Sequence, residues 1–505
     1  MALTDRAKAI SVLAASTGAF TVCFAVWMMY GVLMTYLVDR GVYAFSTTQM
    51  GWLIGVPVLS GSLLRLPAGL LADRLGGRRI MVAIMVAAAA ATYGASLADG
   101  FWGFLIAGLG FGTAGASFAA GVAYISVWFS PERQGSVLGV FGMGNLGAAL
   151  TAAMAPRLLD FLTRSDSLTE QWRLFPRLYA AILLATALLF WIATHPRRAS
   201  PTASLRQRLA PLGSIRVWRF GLYYFLLFGG FVALSQWLIP YYVNVYGLTM
   251  VTAGTLASVF SLPSGLFRAL GGWLSDRLGA RAVMYWSLGL LVAVLVLLYP
   301  PRLELRAPGQ GVLATRPGVV TSVSEHEVVV GDDRYPLQRS SPGEAELRVG
   351  IHHTDERHLL LPTVSVEHAP AIQVGDRVAT GQLLIRGTTR IYFQANRWIF
   401  AVLVVVLGVL MGLGSGAVFK HIADYFPGRV GAVGGLVSML GALGGFVYPI
   451  LFGYLLDATG IWTTCWMLLT IVAMLCLVWM HLVIRRLVST TSPALLRQVE
   501  NPRES

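Results

Sequence analysis

Two arginines stand inside apolar runs at equivalent places in an internal repeat. Leu63–Arg78 reads LLRLPAGLLADRLGGR and Leu266–Arg281, at an offset of 203 residues, reads LFRALGGWLSDRLGAR. Each copy puts its arginine eight residues ahead of an Asp-Arg pair, Arg65 before Asp73 and Arg268 before Asp276. Eight helical residues rise about 12 Å, so with the aspartates at the membrane edge the arginines lie well inside a hydrocarbon layer about 30 Å thick. Charge at that depth is costly and marks function. Two equivalent cations at matching depth point to one anion held between them.

The elements that position these arginines must be membrane helices. The chain of 505 residues is 56% hydrophobic and only 12% charged, against about 25% charged in soluble proteins, and its mean hydropathy is +0.67. Apolar stretches of spanning length lie near residues 10–37, 49–71, 79–98, 101–128, 134–156, 176–194, 217–246, 251–275, 282–299, 397–419, 430–455 and 461–484, twelve in all. The first follows Arg6 and Lys8 and is too long for a signal-peptide core, so it reads as a retained helix. Alternating from a cytoplasmic N terminus, the clusters Arg74, Arg78 and Arg79, then Arg197, Arg198, Arg206 and Arg208, then Arg277 and Arg281, then Arg485 and Arg486 all fall on one side. Both termini are expected in the cytoplasm. Topology thus accounts for the net charge of +14, and a nucleic-acid partner is not indicated. Cys23, Cys465 and Cys476 sit in apolar spans without metal-ligand spacing, which argues against a disulfide framework or a zinc site.

The offset also measures the chain. Residues 195–216 read as a cytoplasmic linker between a first six-helix half, 1–194, and a second half. Later, Trp128-Phe129-Ser130-Pro131 with Gly135 and Gly139 matches Tyr425-Phe426-Pro427 with Gly431 and Gly435 at an offset of 296 to 297. The growth of 93 to 94 residues places an insertion, residues 301–396, between helices 7–9 (217–300) and helices 10–12 (397–486), ahead of a tail, 487–505. From Arg302 to Arg397 the apolar runs vanish, and 11 arginines face 11 acidic residues. Val319–Val323 and Glu327–Val330 read as strands, with turns at Gly331-Asp332-Asp333 and Ser341-Pro342-Gly343. A small β-barrel or sandwich on the periplasmic side is expected. Val374-Gly375-Asp376-Arg377-Val378 with Gly381-Gln382-Leu383-Leu384 resembles the turn of biotinyl/lipoyl-type barrel-sandwich domains, but the insertion has no lysine to carry a swinging arm. Its five histidines, His326, His352, His353, His358 and His368, read as solvent-exposed residues, with a metal site as the alternative.

Gly69 to Arg79, with its echo at Gly272 to Arg281, resembles the helix 2–3 loop signature of the major facilitator superfamily. An aspartate at such a helix end is placed to pair with arginines and dipoles of the opposite half, so Asp73, Arg74, Asp276 and Arg277 are candidate gating residues. Gly112-Thr113-Ala114-Gly115-Ala116-Ser117-Phe118-Ala119 and Phe141-Gly142-Met143-Gly144-Asn145-Leu146-Gly147 are similar to the glycine-rich signature of the nitrate/nitrite porter family. Gly434 to Phe446 is similar to that family's second signature. Glycines at this density let helices approach closely, which close packing alone would also explain. The resemblance implies an all-α, twelve-helix major facilitator fold carrying the β-rich insertion. It also implies an anion gripped by Arg65 and Arg268, sandwiched by Phe118 and Phe228, with Tyr224, Asn145 and Ser438 as neutral donors. Leu222-Tyr223-Tyr224 offers two tyrosines for one role, and Ser117 stands where many members have asparagine. Nitrate suits the pair independently, because a planar guanidinium matches two oxygens of a planar monovalent anion where an ammonium does not.

No Asp or Glu is seen near the depth of the arginines; Asp73, Glu132, Asp276 and Asp424 cluster at helix ends. Without a proton carrier, an empty site holding two uncompensated cations should cross between states with difficulty. Nitrate/nitrite exchange is therefore expected. Proton symport through His421 or Lys420 and an anion sensor that uses the insertion are the alternatives. A monomer is expected, without a cofactor or enzymatic chemistry. Its partners are small inorganic anions and the lipid bilayer, and any periplasmic partner of the insertion is unidentified.

Overall fold

The computed structural model describes residues 5–129, 131–163, 170–197, 210–299, 303–324, 326–337, 363–393, 396–426 and 430–491. The chain divides into two compact units, Met1–Val243 with Leu248–Tyr299 and Ala401–Ser505, and Asn244–Gly247 with Pro300–Phe400. Twelve helices among the described residues are long and apolar enough to cross a membrane. They are TM1 (Asp5–Asp39), TM2 (Thr47–Leu75), TM3 (Gly77–Ala95), TM4 (Gly100–Ser126), TM5 (Val137–Leu162), TM6 (Gln171–Ala193), TM7 (Ile215–Tyr246), TM8 (Met250–Leu278), TM9 (Ala280–Leu297), TM10 (Arg397–Tyr425), TM11 (Val433–Thr459) and TM12 (Thr464–Arg486). They coincide with the twelve apolar stretches of the sequence. Cys23, Cys465 and Cys476 are buried free thiols.

The repeat ends alike in its two copies. Gly76 and Gly279 take φ of 95° and 87°, backbone that a residue with a Cβ adopts only under strain, so TM2 and TM8 stop there and the chain reverses at once into TM3 and TM9.

Several spans are irregular. TM1 is interrupted at Met28 and TM2 at Leu64. TM4 tightens to a 3-10 turn over Gly112–Ala116, TM5 does so over Met143–Asn145, and TM7 widens to a π turn over Phe225–Gly229.

Glycines set the approach of the two six-helix sets. A Cβ on Gly51 would lie 2.3 Å from the Pro449 carbonyl oxygen, one on Gly55 2.7 Å from that of Phe446, and one on Gly453 2.5 Å from that of Thr47. TM2 and TM11 therefore run backbone against backbone. Gly254 of TM8 meets the Ala152 carbonyl of TM5 in the same way, at 2.3 Å. Gly31 of TM1 donates its N–H to Gln236 Oε1 of TM7 at 3.2 Å.

Beyond these contacts lies a polar latch. Ser46 caps TM2 through a capping box with Gln49. Asp457 of TM11 accepts from the Thr48 backbone N–H at 2.8 Å and from the hydroxyls of Thr47 and Thr48. Arg157 of TM5 donates to Thr255 of TM8 at 3.0 Å. The end of the bundle opposite Asp73 and Asp276 is thus tied across the two sets.

The second unit is β-rich and is built from β1 (Leu303–Pro308), β2 (Val312–Leu313), β3 (Gly318–Val323), β4 (Glu327–Val330), β5 (Asp333–Pro336), β6 (Thr363–Pro370), β7 (Arg377–Val378) and β8 (Leu383–Phe393). One antiparallel sheet has β8 paired with β1, β2 and β6, and the other runs β5-β4-β3-β7. Val320, Val328, Val330, Tyr335, Val378, Leu384 and Ile385 form its core. The two valine-rich stretches are β3 and β4, and Gly331 turns between β4 and β5 with φ of 60°. The turn at Ser341-Pro342-Gly343 and His352, His353 and His358 lie outside the described residues. His326 is exposed, and His368 Nε2 lies 3.2 Å from the Gln310 carbonyl oxygen. Among the described residues no group of three or more His, Cys, Asp or Glu could hold a metal.

The Asp457 latch carries a direct consequence. Losing a helix cap costs about 1 kcal/mol, or about fivefold in an opening equilibrium. Asp457→Ala should raise amide hydrogen exchange at Thr48 by about that factor while leaving the TM3 amides unchanged. Unaltered exchange at Thr48 would show that the latch carries no such energy.

Candidate functional site

Arg65 is the first residue after the break in TM2 and is 3% exposed. Its Nη1 donates to the Ser438 carbonyl of TM11 at 2.9 Å and its Nε to the Gly115 carbonyl of TM4 at 3.4 Å. Three rings surround the guanidinium, with Cζ 5.6 Å from the Trp27 ring centroid, 5.2 Å from Phe118 and 5.5 Å from Phe228. Each such contact contributes on the order of 0.5–2 kcal/mol. Trp27 is fixed in turn by its Nε1 donating to the Pro57 carbonyl at 2.7 Å.

Arg268 on TM8 is half-buried, with Cζ 5.5 Å from the Tyr224 ring centroid and 4.9 Å from Phe419. Tyr224 and Phe228 stack at 5.0 Å with 5° between their planes. The two arginines of the repeat therefore each address one ring of a single stacked pair. The sequence offered two tyrosines, and Tyr224 is the one in this stack.

The stack exists because TM7 and TM11 come unusually close. A Cβ on Gly441 would fall 2.1 Å from Tyr224 Cδ1, and one on Gly229 would fall 2.6 Å from the Gly441 carbonyl oxygen. The π turn Phe225–Gly229 lies in the same place. Such turns cluster at functional sites, because the extra residue re-aims the side chains around it.

The glycines near Asn145 do similar work. A Cβ on Gly144 would meet Phe20 Cδ1 at 2.2 Å and one on Gly147 the Thr21 carbonyl oxygen at 2.2 Å, so TM5 seats directly on TM1. Phe20 and Phe141 then wall Phe118 at 5.4 and 5.8 Å between centroids. Phe118 follows the 3-10 turn of TM4, and Asn145, 4% exposed, closes that of TM5. Arg65, Phe118, Asn145, Tyr224 and Phe228 all sit at irregularities in their helices.

Ser438 is placed differently from the expected donor. Its hydroxyl donates to the Gly435 carbonyl at 2.9 Å within its own helix, and its carbonyl is the group that meets Arg65. The Ser117 hydroxyl likewise turns back to the Ala114 carbonyl at 2.6 Å. Among the described residues neither Arg65 nor Arg268 has a carboxylate partner. The arrangement presents fixed positive charge and aromatic faces in a water-poor setting. That combination suits a small planar anion.

At the repeat's helix ends, Asp73 is half-buried and Arg74 exposed. Asp276 pairs with Lys420 Nζ at 3.0 Å, and Lys420 also reaches Asp424 at 3.3 Å. Arg277 lies over Trp273 at 4.1 Å. The ion pair of Asp276 thus joins TM8 to TM10 within the second half, where the sequence suggested a partner in the first. Asp457 is a carboxylate that does bridge the halves, to Thr47 and Thr48, and sequence reasoning passed over it. Its signal was a lone acid in the last turn of TM11, together with the Ser46-Thr47-Thr48-Gln49 cap it complements.

The family model for the Major Facilitator Superfamily matches residues 15–308 and 378–503, and the gap falls in the β-rich segment. The "Probable nitrate/nitrite antiporter NarK1" of Thermus thermophilus is 35% identical over 502 residues, 98% of this chain and 96% of the relative. The "Nitrite extrusion protein" of Bacillus subtilis strain 168 is 24% identical over 463 residues, 91% of each chain. Among solved structures, a bacterial homologue of the human lysosomal transporter Spinster, inward-facing and occupied, superposes with a TM-score of 0.61. That match is 14% identical over 94% of this chain and 96% of that one, which speaks to the fold alone. The chain belongs to the nitrate/nitrite porter family of the major facilitator superfamily.

Proposed function

We propose that this transporter exchanges nitrate for nitrite across a bacterial inner membrane by alternating access. The anion sits between Arg65 and Arg268, against the Tyr224–Phe228 stack and Phe118, with Asn145 completing the shell. The observation that carries this reading is the pair of repeat-related guanidiniums on one aromatic stack with no carboxylate partner among the described residues. The names of the bacterial relatives, a nitrate/nitrite antiporter and a nitrite extrusion protein, agree with it.

In this reading both termini are cytoplasmic and residues 301–396 periplasmic, following the arginine distribution. The Thr47–Asp457 latch then closes the outer end, and Asp73, Arg74, Asp276 and Arg277 lie at the inner end, where they steady the opposite closure. Two carbonyl oxygens accept from the buried Arg65, but they supply partial charges only. A full negative charge comes with the substrate and halves the uncompensated charge of the pair, so the loaded protein crosses between states more readily than the empty one.

Replacing Arg65 or Arg268 by lysine keeps the charge and removes the planar fork. Loss of a charge-assisted hydrogen bond of about 1.5–3 kcal/mol should lower nitrate transport about 10- to 100-fold in each variant. Wild-type rates in both would remove the clamp as the explanation. For coupling, proteoliposomes loaded with nitrite should take up labelled nitrate at least about tenfold faster than vesicles holding no exchangeable anion. Equal uptake into both, or uptake that follows an imposed pH gradient, would contradict obligatory exchange.

A further inference from the structure

A second cationic pocket is built from residues that the central site does not use. It is lined by the start of TM7 (Arg219 and Tyr223), the start of TM9 (Arg281), and the end of TM10 (His421 and Tyr425), and it is closed on one side by the end of TM12 at Met480 and its apolar neighbours. These are all ends of helices at one face of the bundle, the face that carries Asp276.

Arg219 is only 9% exposed and has no carboxylate partner among the described residues. Two acids of this face, Asp276 and Asp424, share Lys420 at 3.0 and 3.3 Å. Tyr223 is 2% exposed and its hydroxyl has no hydrogen-bond partner among the described residues. Arg281 donates through Nη2 to the Tyr425 hydroxyl at 2.6 Å, and Arg216 adds a third guanidinium 5.1 Å from the Tyr425 ring centroid. His421, 4% exposed, stacks on Phe220 at 5.5 Å.

A buried hydroxyl without a partner is expensive, and a guanidinium without a counter-charge beside it adds to the cost, unless something supplies oxygen to both. Arg216, Arg219 and Arg281 can only donate, while the Tyr223 and Tyr425 hydroxyls can do either. The missing chemistry is therefore an anionic cluster of acceptor oxygens, and the TM12 wall beside it is apolar. Helix ends at one face of a bundle lie at the depth of phospholipid headgroups, where basic pockets between helices take anionic lipid.

We propose that this pocket is a binding site for a phosphate oxyanion, with Arg219, Arg281 and the Tyr223 hydroxyl as its donors. A phospholipid headgroup and free inorganic phosphate both offer that chemistry. The test uses the purified full-length protein, phosphatidylglycerol, phosphatidylcholine and inorganic phosphate, with lipid retention read by native mass spectrometry and phosphate protection read by thermal unfolding. The variants are Arg219→Gln combined with Arg281→Gln, and Tyr223→Phe. Tyr223→Phe keeps the ring, so it remains informative if the double variant does not fold.

If the phosphate is a lipid's, the wild type should retain phosphatidylglycerol at least about tenfold over phosphatidylcholine. That preference should vanish in the double variant and fall about fivefold in Tyr223→Phe. If it is free phosphate, the wild type alone should be protected by the inorganic ion, with equal retention of the two lipids. Retention and protection that are the same in the wild type and in Tyr223→Phe would overturn the proposal.

Discussion

The structure is organised around a guanidinium taken out of water with no counter-charge beside it among the described residues. Arg65 is 3% exposed, and its surroundings consist of two backbone carbonyl oxygens and three aromatic faces. None of these carries a full negative charge. Each is a dipole or quadrupole that helps only when held within a few ångströms, so the backbone around Arg65 must be brought unusually close. A carboxylate in the same place would neutralise the arginine and leave nothing for a substrate to do.

That requirement explains features which look unrelated in the sequence. Gly115 supplies a carbonyl to Arg65, and a Cβ there would strike the Trp27 ring at 2.7 Å. Gly441 and Gly229 admit the Tyr224–Phe228 stack. The breaks in TM2, TM4, TM5 and TM7 fall beside the residues that face the site, where regular helix would aim them elsewhere. TM11 connects this centre to the distant latch: its Ser438 carbonyl meets Arg65 and its Asp457 caps TM2, 19 residues and about 29 Å further along a helix. One helix, with Pro449 along its course, thus touches both the central arginine and the far end of the bundle.

Much of this was visible in the chain before any coordinates, and the reasons are physical. Twelve apolar runs, the Arg65 and Arg268 repeat, and the valine-rich strands Gly318–Val323 and Glu327–Val330 all depend on local pattern. The glycines were visible too, although their partners were not. What local pattern does not carry is the rotation of one helix against another. Rotation decides that Tyr224 rather than Tyr223 joins the stack, that Ser438 turns its hydroxyl inward to Gly435, and that Asp276 finds Lys420 in its own half. Asp457 escaped notice for the same reason, since its partners Thr47 and Thr48 lie some 400 positions earlier in the chain.

In the proposed arrangement one planar anion lies between Arg65 and Arg268 on the Tyr224–Phe228 stack. The most direct measurement is an experimental structure of the protein with nitrate, set beside one prepared without it, at a resolution that defines a four-atom ligand. Planar density is expected within hydrogen-bonding distance of both guanidiniums and in contact with the stacked rings, present only in the nitrate-bound map. Nitrate density elsewhere, with Arg65 and Arg268 unchanged and contacting no anion, would contradict it.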